Sequence, residues 1–101
     1  MNYILSLRKE AKSDLKETFQ WYESESYGLG EKFIIAFETS AGFIIQNPLM
    51  YPIVYKDIRR TLIRNFPYAI FYRIRETKVI VIACLHTSRD PEIWQSRVVK
   101  N

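Results

Sequence analysis

The sequence predicts an α+β fold of order β-α-α-β-β-β, with a helical hairpin on one face of a small, antiparallel-rich sheet and a short C-terminal helix. Three observations predict it. Apolar residues recur every three or four positions in the first half, alternate with period two in the second, and the halves meet after a Gly28-Leu29-Gly30 break and an Asn47-Pro48 stop. With 101 residues, of which 48% are hydrophobic, there is material for one core, so residues 1–101 are read as a single domain.

Tyr3-Ile4-Leu5-Ser6-Leu7 reads as a short strand. Leu7, Ala11, Leu15, Thr18, Phe19 and Tyr22 then recur at helical spacing with charges between them, which predicts an amphipathic first helix. Trp21 and Tyr22, beside Phe19, are expected in the core. The second helix runs from about Glu31 to Asn47, with Phe33, Phe37, Ala41 and Ile44 as its main stripe. Ile34, Ile35, Phe43 and Ile45 fall outside that stripe, so this helix is expected to be sandwiched between the first helix and the sheet.

Three strands follow, Ile58 to Arg64, Tyr68 to Arg75 and Lys78 to His86. A two-residue Glu76-Thr77 connection opposes Arg75 with Lys78, Arg73 with Ile80 and Phe71 with Ile82. In that register Tyr68, Ile70, Tyr72 and Ile74 share a face with Val79, Val81, Ala83 and Leu85, which the helical hairpin should cover. The other face carries Ala69, Phe71, Arg73 and Arg75 with Lys78, Ile80, Ile82, Cys84 and His86. Asp90-Pro91 is a good helix entry ahead of Ile93 and Trp94, but one or two turns are too little to cover that face. It is therefore expected to receive another protein.

Charge divides along the chain. The net +4 arises from five Lys/Arg against seven Asp/Glu in residues 1–50, and ten against four in residues 51–101. The basic half suits an anionic partner, nucleic acid or acidic protein, or is a solvated arginine-rich edge. No apolar run reaches the roughly 20 residues of a membrane span, and Arg8 to Glu10 come too early for a secretory leader, so the expected location is cytoplasmic with no membrane partner. Cys84, alone in an apolar strand, is a core residue rather than a reactive thiol. One histidine and one cysteine on a strand are no metal site, and no glycine loop cradles phosphate, so no cofactor and no metal are expected.

Gly28-Leu29-Gly30 with Phe33, Asn47-Pro48, Ile58-Arg59-Arg60, Phe66-Pro67-Tyr68 leading to Tyr72, and His86-Thr87-Ser88-Arg89-Asp90-Pro91 with Trp94 and Arg97 occur in one order. Over roughly residues 3–97 this pattern resembles the RelE/ParE superfamily of type II toxin–antitoxin toxins, most closely its ParE-like plasmid-stabilization branch. The resemblance implies a toxin that inhibits growth and a cognate antitoxin whose C-terminal segment wraps it. It also implies one of two targets: DNA gyrase, as in ParE-like members, or mRNA on the ribosome, as in RelE-like ribonucleases.

RNA cleavage through the 2′-hydroxyl needs a base, an acid and cations for the developing phosphorane charge. Arg60, Arg64, Arg73 and His86 could supply parts of that, and Arg60, Arg64 and His86 are the catalytic candidates of the ribonuclease alternative. Nuclease members place a basic residue where this chain has Ala69, and end in a Tyr- or His-containing catalytic tail, whereas no tyrosine follows Tyr72 here. These departures favour a non-enzymatic inhibitor, and a lone strand-end histidine is then a packing residue that orients the Arg89-Asp90 turn. Phe71, Arg73, Ile80, Ile82, Arg89, Trp94 and Arg97 are the candidates for contact with antitoxin or target. Arg89 and Arg97 can also pair with Asp90 or Glu92. Trp94 is either a lid on the sheet or an exposed anchor. Only one of the adjacent Arg59 and Arg60 can line the concave surface.

Overall fold

β1 (Ile4–Leu7) leads into α1 (Lys9–Glu25) and α2 (Leu29–Gln46), followed by β2 (Ile53–Tyr55), β3 (Ile58–Leu62), β4 (Tyr68–Arg75), β5 (Lys78–His86) and α3 (Glu92–Val99). This computed structural model describes residues 2–99. The sheet order is β1-β5-β4-β3-β2, with β1 parallel to β5 and the remaining neighbours antiparallel. The α+β arrangement is the one expected, with the short strand β2 added ahead of β3.

The break between the helices has a local cause. Gly28 adopts φ 87°, which glycine reaches without a Cβ penalty, and the Glu23 carboxylate accepts the N–H groups of Gly28 and Gly30 at 2.9 Å each. A Cβ on Gly30 would sit 2.6 Å from the Phe19 carbonyl oxygen, so glycine there lets α1 and α2 approach closely. Ala11 of α1 and Phe33, Phe37, Ala41 and Ile44 of α2 then pack on Ile70, Tyr72, Val79, Val81 and Cys84 of the sheet. Tyr22 joins this core through ring contacts with Phe33, Phe66 and Tyr68 at 5.1 to 5.9 Å. Trp21 does not: it is 59% exposed, and at this turn of α1 the core contact is made by Tyr22.

The register of β4 on β5 starts as expected, with Arg75 opposite Lys78 and Arg73 opposite Ile80. It then shifts between Phe71 and Tyr72, so that Tyr72 faces Val81 while Phe71 faces Ala83 rather than Ile82. Ile82 is the extra residue of a β-bulge, and beyond it the alternation of β5 is inverted. Ala83 and Leu85 therefore belong to the face away from the hairpin, and Cys84 to the hairpin core, the reverse of the sequence expectation.

The second face is also not open. Trp94 and Val98 of α3 pack on Ile58, Ala69, Phe71, Ile82, Ala83 and Leu85. The Trp94 ring stacks on Phe71 at 4.3 Å between centroids and meets Tyr55 edge-on at 5.7 Å. Two turns suffice because residues four apart share a helix face and an indole covers a large area. The sheet thus carries an apolar core on each side.

Candidate functional site

A basic cleft lies between the end of β5 and the start of α3, lined by Arg60, His86, Thr87, Arg89, Val54 and Trp94, with a volume of about 240 Å³. β3 aims Arg60 to this side, its guanidinium 6.0 Å from the centroid of the Phe71 ring. Arg59, one residue earlier, points to the other face and donates to the carbonyls of Leu49 at 3.1 Å and Tyr51 at 2.6 Å. Arg60 is therefore the concave-face arginine. His86 Nδ1 accepts the Ser88 N–H at 3.0 Å and lies 2.8 Å from Ser88 Oγ. A backbone N–H can only donate, so the neutral ring carries its proton on Nε2. The His86 carbonyl accepts the Arg89 N–H at 3.0 Å, so the histidine orients the turn it precedes. Arg64 does not line this cleft; it falls beyond the end of β3 and lines the groove described below. Arg60, His86 and Arg89 line this one cleft, and Arg64 does not join them.

Of the residues expected to meet a partner, Phe71, Ile82 and Trp94 are buried under or within α3, while Ile80 is half-buried and Arg89 exposed. Arg73 is buried and committed. Its Nε and Nη2 donate to Asp57 at 3.2 and 2.6 Å, and Arg75 reaches the same carboxylate at 2.6 Å. The Arg73 hydrogen bonds, with further help from Arg75, hold the Asp57 carboxyl down at about 2. Arg97 pairs with neither Asp90 nor Glu92, which lie near it in sequence. It forks onto Asp14 of α1, Nη1 to Oδ2 at 2.6 Å and Nη2 to Oδ1 at 3.0 Å, and also donates to the Ile82 carbonyl at 3.1 Å. Hydrogen bonding to Asp14 raises the pKa of Arg97. Asp14 Oδ2 in addition accepts the N–H of Cys84, a donor beside the bulge. Asp14 thus ties α1, α3 and β5 together. Its sequence signal is a carboxylate on the apolar face of an amphipathic helix, three residues after Ala11.

A second, apolar groove of about 1070 Å³ lies between α2 and the end of β3. Ile35, Phe43 and Leu62 line it and are 54, 56 and 58% exposed. Lys32 and Arg64 are its charged lining residues, with no carboxylate among the residues that line it. The sequence expected α2 to be sandwiched; Ile34 and Ile45 are half-buried, but the side bearing Ile35 and Phe43 faces outward. Among the described residues no cluster of three or more His, Cys, Asp or Glu side chains could hold a metal ion.

Residues 5–91 match the family described as "ParE toxin of type II toxin-antitoxin system, parDE". The chain belongs to the ParE toxin family. This ParE-family toxin is similar in fold to a solved structure described as the chromosomal ParDE TA system from P. aeruginosa. The TM-score is 0.75 and the identity 12%, over 83% of this chain and 95% of the other. It is also similar to a doubly substituted E. coli toxin RelE in the free state, with TM-score 0.63 and 17% identity over 99% of this chain and 97% of that one. No curated protein matches it by sequence.

In this ParE-family chain the cleft holds two cations and, in the neutral ring, an Nε2–H donor, and its lining contains no tyrosine, lysine or carboxylate. Such a set can hold an anion, but it lacks an acceptor placed to take a proton. Among the described residues no helix is long and apolar enough to cross a membrane.

Proposed function

We propose that this ParE-family toxin arrests growth by binding a macromolecular target, DNA gyrase, without catalysing a reaction, and that a cognate antitoxin neutralises it. The observation that carries the non-catalytic reading is the occupied Nδ1 of His86. With the Ser88 N–H on Nδ1 and the ring proton on Nε2, the cleft's one side chain of a type suited to general-base work has no free lone pair. Gyrase is the target suggested by the family likeness. Within the sequence-derived contact set, the accessible Ile80 and Arg89 are the members a partner can meet directly, with Phe71, Ile82 and Trp94 supporting the surface from beneath.

The antitoxin reading is supported by the groove beside α2, whose exposed Ile35, Phe43 and Leu62 offer the anchors an amphipathic partner segment needs. A RelE-like ribosome-dependent ribonuclease is the competing reading. It is less well supported, because Arg64 stands apart from Arg60 and His86. The two separate in one experiment: the toxin is induced alone in bacteria, and DNA and protein synthesis are followed by labelled precursors. An early halt in DNA synthesis with translation continuing is expected. An immediate halt in translation with cleaved mRNA would replace the gyrase reading with the ribonuclease.

A further inference from the structure

The strands bear four arginines, and the chain ties down three of them. Arg59 donates to the carbonyls of Leu49 and Tyr51, and Arg73 and Arg75 both donate to Asp57. Arg60 is the exception. It is half-buried, its guanidinium stands 6.0 Å from the centroid of the Phe71 ring, and its side chain has no acceptor among the described residues. Arg89 lines the same cleft of about 240 Å³. It also borders a hollow lined by Glu10 and Glu17, yet it forms no ion pair with either, so its charge too is uncompensated among the described residues. Two like charges therefore share a cleft whose lining contains no carboxylate. A guanidinium partly withdrawn from water without an acceptor is unfavourable, and the arrangement becomes favourable once an anion is supplied from outside.

We infer that this cleft is a site for one carboxylate side chain, Asp or Glu, of a partner protein, with Arg60 and Arg89 as the cations that hold it. The inference rests on the proposed protein-binding, non-catalytic action and names the chemistry that such binding recognises. A guanidinium presents a planar fork of N–H donors that matches the two oxygens of a carboxylate, and the Phe71 ring beside Arg60 helps to hold that fork in place. Size points the same way. The cleft is smaller than the roughly 300–1,000 Å³ of a typical small-molecule site, and its walls at Val54, Leu85 and Pro91 suit the short apolar stem of an acidic side chain. A nucleic acid would also bring anions, but single strands are held largely by bases stacked on open aromatic faces. Here Phe71 and Trp94 are each only 6% exposed and stack on one another at 4.3 Å, which leaves no such platform in the cleft.

The purified toxin is titrated at about 0.15 M salt with a capped tripeptide carrying a central glutamate, with its glutamine counterpart, and with a single-stranded RNA trinucleotide, while NMR follows the backbone amides and the arginine Nε–H signals. The glutamate tripeptide is expected to shift the Thr87 and Arg89 amides and the Arg60 Nε–H saturably, with a dissociation constant on the order of 1 mM, and the glutamine tripeptide to bind at least about tenfold more weakly. Arg60→Gln and Arg89→Gln should each weaken the glutamate tripeptide at least about fivefold. Neither side chain has an internal ion-pair partner to strand, so both variants should keep the fold, which their amide spectra report directly. Arg64→Gln removes an equal charge from the groove beside α2 and should change the affinity by less than about twofold. No saturation up to about 20 mM, equal binding of the glutamine tripeptide, or an equal loss in Arg64→Gln overturns the inference. A trinucleotide that saturates the same signals more tightly than the glutamate tripeptide also overturns it, in favour of nucleic acid. The proposed target is tested apart from this: a toxin that takes the glutamate tripeptide here yet halts translation in cells refutes gyrase and leaves the carboxylate site standing. One that halts DNA synthesis without binding the tripeptide does the reverse.

Discussion

Replacing Asp14 by alanine should loosen the C-terminal helix and cost this protein a large part of its stability. The carboxylate, 8% exposed, accepts both terminal nitrogens of Arg97, itself 15% exposed, and the N–H of Cys84. Stranding one partner of a buried ion pair costs about 3–5 kcal/mol. Leaving the Cys84 N–H unpaired adds about 1–3 kcal/mol. Arg97 keeps the Ile82 carbonyl and can swing partly into water, so the contributions overlap, and the expected loss is about 3–5 kcal/mol in total. For a domain of this size that lowers Tm by on the order of 15 °C. Asp14→Asn retains an acceptor for Cys84 and should cost about 1.5–3 kcal/mol. The double variant Asp14→Leu with Arg97→Met removes both charges and should recover at least about 1 kcal/mol relative to the sum of the single changes. Urea unfolding followed by far-ultraviolet circular dichroism and by tryptophan fluorescence measures all of these, and Trp94 reports whether α3 leaves Phe71. A loss below about 1 kcal/mol for Asp14→Ala, or a double variant that loses the full sum, would refute the claim that this pair holds α3 in place.

Ile35→Asp and Phe43→Asp place a charge on exposed groove positions, so stability should change by less than about 0.5 kcal/mol while antitoxin affinity falls at least about tenfold; unchanged affinity by calorimetry would move the antitoxin elsewhere. His86→Ala should leave toxicity intact, since the ring serves the Ser88 turn. Abolished growth arrest in a folded variant that still binds antitoxin would count against a non-catalytic toxin. Asp57 gives a pH dependence of definite sign: its folded value of about 2 lies below the ordinary aspartate value of 3.8, so its contribution is full above about pH 4 and is lost as pH falls through about 2. The side chain is 42% exposed, so solvent screening reduces the contribution to about 1 kcal/mol, and Asp57→Asn should remove that portion of the acid limb in denaturation midpoints measured from pH 5 to 2.

The parts of the fold that rest on local periodicity were legible in the residues. The stripe of Phe33, Phe37, Ala41 and Ile44 predicted the buried face of α2, and Gly28-Leu29-Gly30 predicted the helix turn. What the residues did not disclose depends on one extra residue and on pairs distant in sequence. Nothing in Val79-Ile80-Val81-Ile82-Ala83 distinguishes a regular strand from a bulged one, because every residue of the run is apolar and fits either face. The inverted placement of Ala83, Cys84 and Leu85 follows from that ambiguity. Arg97 had two acids nearby in sequence, yet its partner, Asp14, is 83 residues away and is brought to it only when α1 and α3 flank the same stretch of β5.

The bulge and the ion pair are one device, and together they determine which surfaces remain for partners. The inverted stretch of β5 turns Ala83 and Leu85 toward α3, and with Ile82 and Phe71 they make an apolar bed wide enough for Trp94 and Val98. The N–H of Cys84 and the C=O of Ile82, at the same bulge, become the points where Asp14 and Arg97 attach. A regular strand would turn Cys84 toward α3 in place of Ala83 and Leu85, and would move the main-chain groups that Asp14 and Arg97 now hold. With α3 held down, the face that looked like a docking surface is used internally. An apolar groove remains beside α2, where Ile35 and Phe43 are exposed together with Leu62.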